Sequence, residues 1–370
     1  MIERRINMSK FWNKKTNEIE AYVAGEQPKT DCKLVKLNTN ENPYSPSKEC
    51  EKVLKEFDIQ ELRLYPDTDS TIVRDAVAKI TGLERGNVFV GNGSDEVLAI
   101  CWQAFFEKKY NTNLGVLVPE VSYSFYPVYA QNYDTRLIKI PLGEDLSIDP
   151  DDFCVRENCG VAIANPNAPT SIAMPIADIE RILQANPDSV VIIDEAYAAF
   201  KTKYESAAEL VNKYPNLVVV QTLSKSYGLA GLRVGYAVAS KELIEGMIKI
   251  RDSFNSYPVD RIAQKVAAAA ILDVENYEIN RLALIGTRTN AMAEFRKMGF
   301  FVPESSANFI FVKPPVEITA ESLYNKLRQK GILVRYFNKP IVKEFLRISI
   351  GTDEEMSIIV EAIKEELKNA

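Results

Sequence analysis

One pattern dominates residues 88 to 239. Short apolar runs rich in β-branched residues alternate with stretches of helical spacing. The runs are Val88–Val90, Leu114–Val118, Leu137–Ile140, Val161–Ala164, Val190–Ile193, Leu217–Val220 and Tyr236–Ala239. They are too short for core helices and show no polar alternation, so they read as strands buried on both faces. Helical spacing lies between them, as in Val97–Phe105, Val128–Asn132 and Ile176–Gln184. Such alternation predicts an α/β fold built on a mainly parallel sheet. Open sheets of that kind receive ligands beyond the carboxyl ends of their strands, so chemistry is to be sought in the residues just past each run.

Four runs end in reactive or anion-binding groups. Val88–Val90 leads into Gly91-Asn92-Gly93-Ser94-Asp95-Glu96 and then a helix, an arrangement that presents backbone N–H groups to a phosphate. Glu96 stands where a dinucleotide fingerprint needs its third glycine, and Ser94 as an ordinary helix cap is the plainer reading of the same residues. Val161–Ala164 is followed by Asn165-Pro166-Asn167-Ala168-Pro169-Thr170-Ser171, and Val190–Ile193 by Asp194-Glu195-Ala196-Tyr197. Leu217–Val220 is followed by Thr222-Leu223-Ser224-Lys225, then by Arg233 among Gly228, Gly231 and Gly235. One amine, two hydroxyls and a guanidinium suit a lysine bonded to an aldehyde whose phosphate the other groups hold. A carboxylate at a buried strand end is costly without a cation. A protonated pyridine nitrogen would be that cation for Asp194, with Tyr197 donating to a phenolic oxygen of the same ring. Taken singly, Lys225 reads as a surface lysine and Asp194-Glu195 as a helix-terminal acidic pair; four such endings at one sheet edge do not read so easily.

Composition narrows the chemistry. The chain has no histidine, which excludes His-based triads and His-ligated metal sites, and no metal site is expected. A general base acting near neutral pH must then be a tuned lysine, carboxylate, tyrosine or thiol, or belong to a cofactor. The net charge of −6 gives no general attraction to nucleic acid or to anionic membranes, and neither is an expected partner. No apolar run approaches a membrane span, no signal peptide precedes the first element, and five cysteines without a CxxC suit free thiols in a reducing cytoplasm.

Three regions are expected from the 370 residues. Residues 1–35 read as an N-terminal arm packing on the small domain and a partner subunit, 36–255 as a large domain, and 256–370 as a small α+β domain. In the last, continuous helical pattern from Val259 to about Met298 is followed by strands Phe309–Val312, Leu333–Val334 and Leu346–Ile350 around a helix from Ala320 to Lys330.

The motifs Leu37-Asn38-Thr39-Asn40-Glu41-Asn42-Pro43, Asp194-Glu195-Ala196-Tyr197, Thr222-Leu223-Ser224-Lys225 and Gly231-Leu232-Arg233-Val234-Gly235 together resemble the histidinol-phosphate aminotransferase family, from Tyr22 to the last helix. The resemblance implies the fold-type I pyridoxal-phosphate fold of aspartate aminotransferase: a large domain with a mainly parallel seven-stranded sheet and a smaller C-terminal α+β domain. It implies transamination of L-histidinol phosphate with 2-oxoglutarate, in histidine biosynthesis. An aromatic or other phosphorylated-amine aminotransferase and a phospho-amino-acid decarboxylase remain alternatives on the same scaffold, and a non-catalytic cofactor-binding protein is disfavoured by the intact Lys225, Asp194 and Tyr197.

By the same resemblance, Lys225 carries the cofactor and shuttles protons, Asp194 pairs with the pyridine nitrogen, Tyr197 faces the ring oxygen and Tyr123 stacks on the ring. Ser94, Asp95, Thr222, Ser224 and Arg233 hold the phosphate, and Tyr65 reaches it from the second subunit of a homodimer with shared active sites. Arg335 and Arg347 take the anionic end of the substrate, with Tyr22 and Asn308 as further substrate candidates. The family usually carries two asparagines before the proline of its Asn-Pro-Thr-Gly run. Here Ala168 and Ser171 depart from it, which leaves Asn167 as the candidate donor to the ring oxygen, and Val121 stands where a proline is common before the stacking tyrosine.

Overall fold

The computed structural model describes residues 9–19 and 34–369. Its helices are α1 (Lys14–Glu18), α2 (Lys48–Glu56), α3 (Thr71–Thr81), α4 (Gly93–Phe105), α5 (Tyr126–Asn132), α6 (Asp151–Cys154), α7 (Ile176–Ala185), α8 (Lys241–Asp252), α9 (Arg261–Leu272), α10 (Val274–Lys297), α11 (Ala320–Gln329) and α12 (Asp353–Lys368). Its strands are β1 (Val35–Lys36), β2 (Val88–Gly91), β3 (Val116–Pro119), β4 (Leu137–Ile140), β5 (Gly160–Ala164), β6 (Val191–Asp194), β7 (Leu217–Thr222), β8 (Gly235–Ala239), β9 (Phe309–Val312), β10 (Ile332–Leu333), β11 (Arg335–Tyr336) and β12 (Leu346–Ser349).

Seven strands form the main sheet in the order β2-β8-β7-β6-β5-β3-β4. Only β8 runs against its neighbours, so the expected parallel sheet with its predicted strands is present to within a residue or two at each end. Because β8 is reversed, the segment that enters it lies at the same edge as the exits of β6 and β7. Arg233 thereby joins Asp194 and Lys225 although its strand points the other way. The central strands are buried except at Gln221 of β7, as continuous Val and Ile runs require.

The C-terminal region is built on the three-stranded antiparallel sheet β11-β12-β9, covered by α10, α11 and α12. Helical pattern from 259 to 298 does not give one helix. Asp273 ends α9, and its carboxylate accepts from the Asn276 N–H to start α10. Ala263, Val266, Ala267, Ala270 and Ile271 of α9 pack in the large-domain core, while Leu284, Ala291 and Phe295 of α10 pack in the C-terminal core. The cores therefore change over at Asp273 rather than at 255/256. A second difference is at the start. β1 pairs in parallel with β10, and Leu37 is buried in the C-terminal core, so the first residues assigned to the large domain belong with the small one. The described part of the arm lies on the large domain instead: Gln131 donates to the Glu18 carbonyl, and Lys15 pairs with Asp134 at 2.8 Å.

Buried Arg288 of α10 ties the turn after β6 to the segment before β9. It donates to the carbonyls of Phe200, in the turn after β6, at 2.6 Å and of Ala307, before β9, at 2.8 Å.

Candidate active site

The carboxyl ends of β3, β5, β6 and β7, the start of α4 and the edge of the C-terminal sheet enclose a cavity of about 500 Å³. Ser94, Asp95, Tyr123, Asp194, Tyr197, Thr222, Ser224, Lys225, Arg233, Arg335 and Arg347 all line it. Eleven residues proposed from separate stretches of sequence are thus brought to one space.

One end is shaped for an anion. The Ser94 and Asp95 amides lie in the first turn of α4, where a helix leaves its N–H groups unpaired. The helix can start there because Gly235 lacks a side chain, since a Cβ at 235 would stand 2.3 Å from the Ser94 nitrogen. Gly93 makes the same kind of room for Arg233, whose Nη2 would lie 2.7 Å from an added Cβ. Thr222 Oγ1 donates to Ser224 Oγ at 3.0 Å, and Arg233 Nη1 donates to the same oxygen at 3.5 Å. Two hydroxyls, a guanidinium and helix-terminal amides converge here, as a phosphate requires.

The cavity also holds a carboxyl and an amine whose acidities are strongly displaced. Asp194 is buried, and its carboxylate is met by the Ala196 N–H at 3.1 Å and the Tyr126 hydroxyl at 3.3 Å. Burial outweighs these bonds and, with Asp95 and Glu195 nearby, pushes its carboxyl up to about 7. No ion pair reaches Asp194 among the described residues, so a cation in the cavity would stabilise its charged form. Lys225 enters the same cavity from the turn after β7, with Nζ donating to the Thr39 carbonyl at 3.2 Å. Its side chain is half-buried and lines the cavity. Desolvation and then Arg347 bring its ammonium down to about 8, against the opposing pull of Glu41 and Asp95. Tyr123 stacks with Phe125 and donates to Asp95, and burial holds its phenol well above the usual range. A carboxylate without a counter-ion, an amine, an aromatic wall and an anion cradle around one cavity fit a phosphorylated pyridine aldehyde in charge and chemistry.

The far end is cationic. Arg335 and Arg347 are register partners on β11 and β12, so their side chains share one face of the sheet. Both guanidiniums lie 5.5 Å from the Phe337 ring centre, and Arg347 also donates to the Asn38 carbonyl at 3.0 Å. Arg335 makes no hydrogen bond or ion pair among the described residues. Two like charges placed face to face are unfavourable until an anion lies between them.

Of the remaining expectations, two differ from the structure, one concerns a partner subunit and one falls outside the described residues. Asn167 is not a cavity residue. It is buried, its Nδ2 donates to the Val121 carbonyl at 2.9 Å and to Thr170 at 3.1 Å, and its Oδ1 accepts from Ser122, so it has no amide hydrogen for a ring oxygen. Ala168 is the residue that lines the wall there. Asn308 also lies behind the wall, fully buried, with Nδ2 donating to the Asn40 carbonyl at 2.9 Å. Tyr65 is away from this cavity, 78% exposed, with its ring stacked on Tyr257 at 4.7 Å. Tyr22 lies outside the described residues.

The wall also contains residues not proposed from sequence. Asn38, Thr39 and Asn40 come from the 37–43 motif, which supports the family resemblance without assigning a role to each residue. Glu120 comes directly after β3, where the strand-end rule would have found it. Lys339 and Phe337 come from a loop with no local signature.

Comparison with known proteins agrees with this geometry. The chain matches the family "Aminotransferase class I and II" over residues 33–363. It is 49% identical over 358 residues to a histidinol-phosphate aminotransferase of Clostridium acetobutylicum, covering 97% of this chain and 99% of that one. It is 47% identical over 361 residues to the enzyme of the same name from Acinetobacter baumannii, covering 97% and 98%. In structure it is similar to the histidinol-phosphate aminotransferase of Sinorhizobium meliloti solved with pyridoxal-5'-phosphate, with a TM-score of 0.86, 21% identity, and coverage of 98% and 99%. The chain belongs to the class I and II aminotransferases and, within them, to the histidinol-phosphate aminotransferase family.

Proposed function

We propose that this enzyme is a pyridoxal-phosphate-dependent aminotransferase that converts L-histidinol phosphate and 2-oxoglutarate to imidazole acetol phosphate and L-glutamate, in histidine biosynthesis. The observation that carries the reading is a cavity with an anion cradle at one end, Asp194 and Lys225 in the middle, and the facing Arg335 and Arg347 at the other.

When bound, pyridoxal phosphate supplies an aldehyde that takes up the amino group and a protonated ring that accepts the electron pair left at Cα. The chain's residues do the rest. Thr222, Ser224, Arg233 and the first turn of α4 hold the phosphate. Asp194 holds a proton on the ring nitrogen, and the cation in turn draws the carboxyl of Asp194 down into its charged form. Tyr123 supports one ring face, and Tyr197 donates to the ring oxygen. Lys225, at about 8, keeps roughly one-tenth of its amine neutral at pH 7, enough to take and return the Cα proton. Arg335 and Arg347 bind the substrate phosphate in one half-reaction and the distal carboxylate of the 2-oxo acid in the other.

A homodimer is part of this reading. Leu62, Leu64, Tyr65, Phe254 and Tyr257 are exposed apolar residues grouped around the Tyr65–Tyr257 stack. Tyr65 on that surface would serve the phosphate end of the partner's cavity. The cytoplasm is the proposed compartment; among the described residues no helix is long and apolar enough to cross a membrane.

The test is direct. Purified enzyme is given histidinol phosphate, phenylalanine or threonine phosphate, each with 2-oxoglutarate, and glutamate and carbon dioxide are measured. Histidinol phosphate should be the best amino donor. Faster glutamate formation from phenylalanine, or carbon dioxide from threonine phosphate, would overturn the substrate assignment.

A further inference from the structure

A second cavity, of about 330 Å³, adjoins the active one and shares Ala196 and Thr222 with it. Its charge is different. Lys225, Arg233, Arg335 and Arg347 line the active cavity, whereas among the described residues no lysine or arginine lines the second. The ionisable groups there are Glu195, Glu209 and the phenols of Tyr204, Tyr227, Tyr236 and Tyr277. Glu195 and Tyr236 are buried, while Ile80, Tyr204 and Val274 are exposed, so the cavity runs from a polar interior to a largely apolar mouth. One oxygen of Glu195 accepts from the Ala207 N–H at 2.7 Å, and the other accepts from Gln221 Nε2 at 2.8 Å and from the Ser206 hydroxyl. None of these donors is a cation, and no ion pair reaches Glu195 among the described residues. Burial raises its carboxyl; Lys201 opposes this from outside the lining, with Nζ donating to the Glu205 carbonyl at 3.0 Å. Arg281, which acts on Tyr277, is itself paired with Glu278 at 2.8 Å. The rings of Tyr227 and Tyr277 lie 4.8 Å apart, and Tyr236 donates to Gln221 Oε1. Burial raises all four phenols, so they stay neutral and offer ring faces and oxygen lone pairs.

We propose that this cavity is a second ligand site, for a compact organic ammonium ion with an apolar body. A buried carboxylate without a paired cation gains most from a ligand that brings one. Tyrosine faces and oxygens add cation–π attraction and acceptors for an ammonium N–H. Ile80 and Val274 at the mouth suit the apolar body. An anion would meet Glu195 and Glu209 with no basic side chain on the lining to offset them. The same field keeps the phosphate and carboxylate ligands of the active cavity out of this one. The ligand would sit against Glu195, the residue after Asp194, and against Thr222 of the phosphate cradle. The proposal does not depend on which amine the active site converts.

The experiment is calorimetric titration of cofactor-loaded enzyme with three probes that share one body and differ in charge. N,N-dimethylphenethylamine is protonated at neutral pH and, being tertiary, cannot form an imine with the cofactor. Dimethyl phenethyl carbinol is its neutral counterpart, and hydrocinnamate is the anionic one. The ammonium should bind one to one and about tenfold or more tighter than the alcohol, the size of a charge-assisted hydrogen bond, and hydrocinnamate should not compete with it. Glu195→Gln should bring the ammonium and the alcohol to within about twofold of each other. Val274→Trp, which narrows the mouth, should weaken both by about tenfold or more. Absence of ammonium binding, equal binding of ammonium and alcohol to wild type, or displacement of the ammonium by hydrocinnamate overturns the proposal. So does a charge preference that survives Glu195→Gln. Affinity unchanged in Val274→Trp also overturns it, because the probes would then bind elsewhere. Should Glu195→Gln fail to fold, Val274→Lys sets a cation at the exposed mouth instead. It should weaken the ammonium about two- to fivefold more than the alcohol at low salt, and an equal effect on both overturns the proposal.

Discussion

Arg335→Ala separates the substrate reading from its rivals. In the folded chain Arg335 stacks on Phe337 and faces Arg347 in register. Its removal loses the stacking, worth about 0.5–1 kcal/mol at a partly exposed site, and relieves a like-charge pairing of about 0.2–1 kcal/mol. The two nearly cancel, so the unfolding midpoint should stay within about 2 °C of wild type. Binding should respond very differently. A guanidinium bonded to a phosphate oxygen contributes about 1.5–3 kcal/mol. At about 1.4 kcal/mol per factor of ten, the loss in kcat/KM for histidinol phosphate is roughly ten- to 150-fold. Because 2-oxoglutarate uses the same arginines, the assay must be a single half-reaction: cofactor-loaded enzyme mixed with the amino donor alone, followed by absorbance. Phenylalanine has no distal anion and should lose at most a few-fold. Equal losses for both donors would refute phosphate selection by Arg335. A large drop in melting temperature would refute the claim that the arginine is held for ligand rather than for the fold.

Three other sets of variants probe the same geometry. In cofactor-free protein, labelling of Lys225 by an amine-reactive probe should titrate near pH 8, and a midpoint near 10.5 would refute its desolvation. Because its folded value lies below the unfolded one, its cost to stability is full below pH 8 and fades as pH rises to 10.5. Lys225→Met should therefore be more stable than wild type by a margin that disappears over that window, as read by denaturant titration. Ala168→Asn adds a donor to the wall beside Tyr197 and should lower the absorbance midpoint of the bound cofactor; no change would show that the ring oxygen is already saturated. Mixing a Tyr65→Phe chain with a Lys225→Ala chain should restore activity above that of either variant alone, through heterodimers with one undamaged site, and no gain would refute the shared site.

The strand ends are legible because a buried parallel strand has a strong local signature and its chemistry comes at once after it in sequence. Asp194, Thr222, Ser224 and Lys225 are found in this way. Arg335 and Arg347 have no such support; family resemblance places them, and the facing register of β11 and β12 gives them a physical reason. Asn167 fails as a donor because its commitments to Val121, Ser122 and Thr170 join residues distant in sequence with one that is near. The boundary at 273 is hidden in sequence because α9 and α10 share one helical pattern, and only packing shows that their apolar faces enter different cores.

The sequence by itself determined the sheet, the edge at which ligands meet it and the groups that line that edge, because burial pattern and chain order are local properties. The tertiary structure decided which groups act on one another. Lys225 is brought to about 8 by desolvation and by Arg347, which lies 122 positions further along the chain (347 − 225). Asn40 reaches Tyr197 across 157 positions, and Ser349 holds Asn40 across 309. Acidity and hydrogen-bond direction depend on distance, burial and the count of available donors, and these exist only once the chain has folded and the two cores have met.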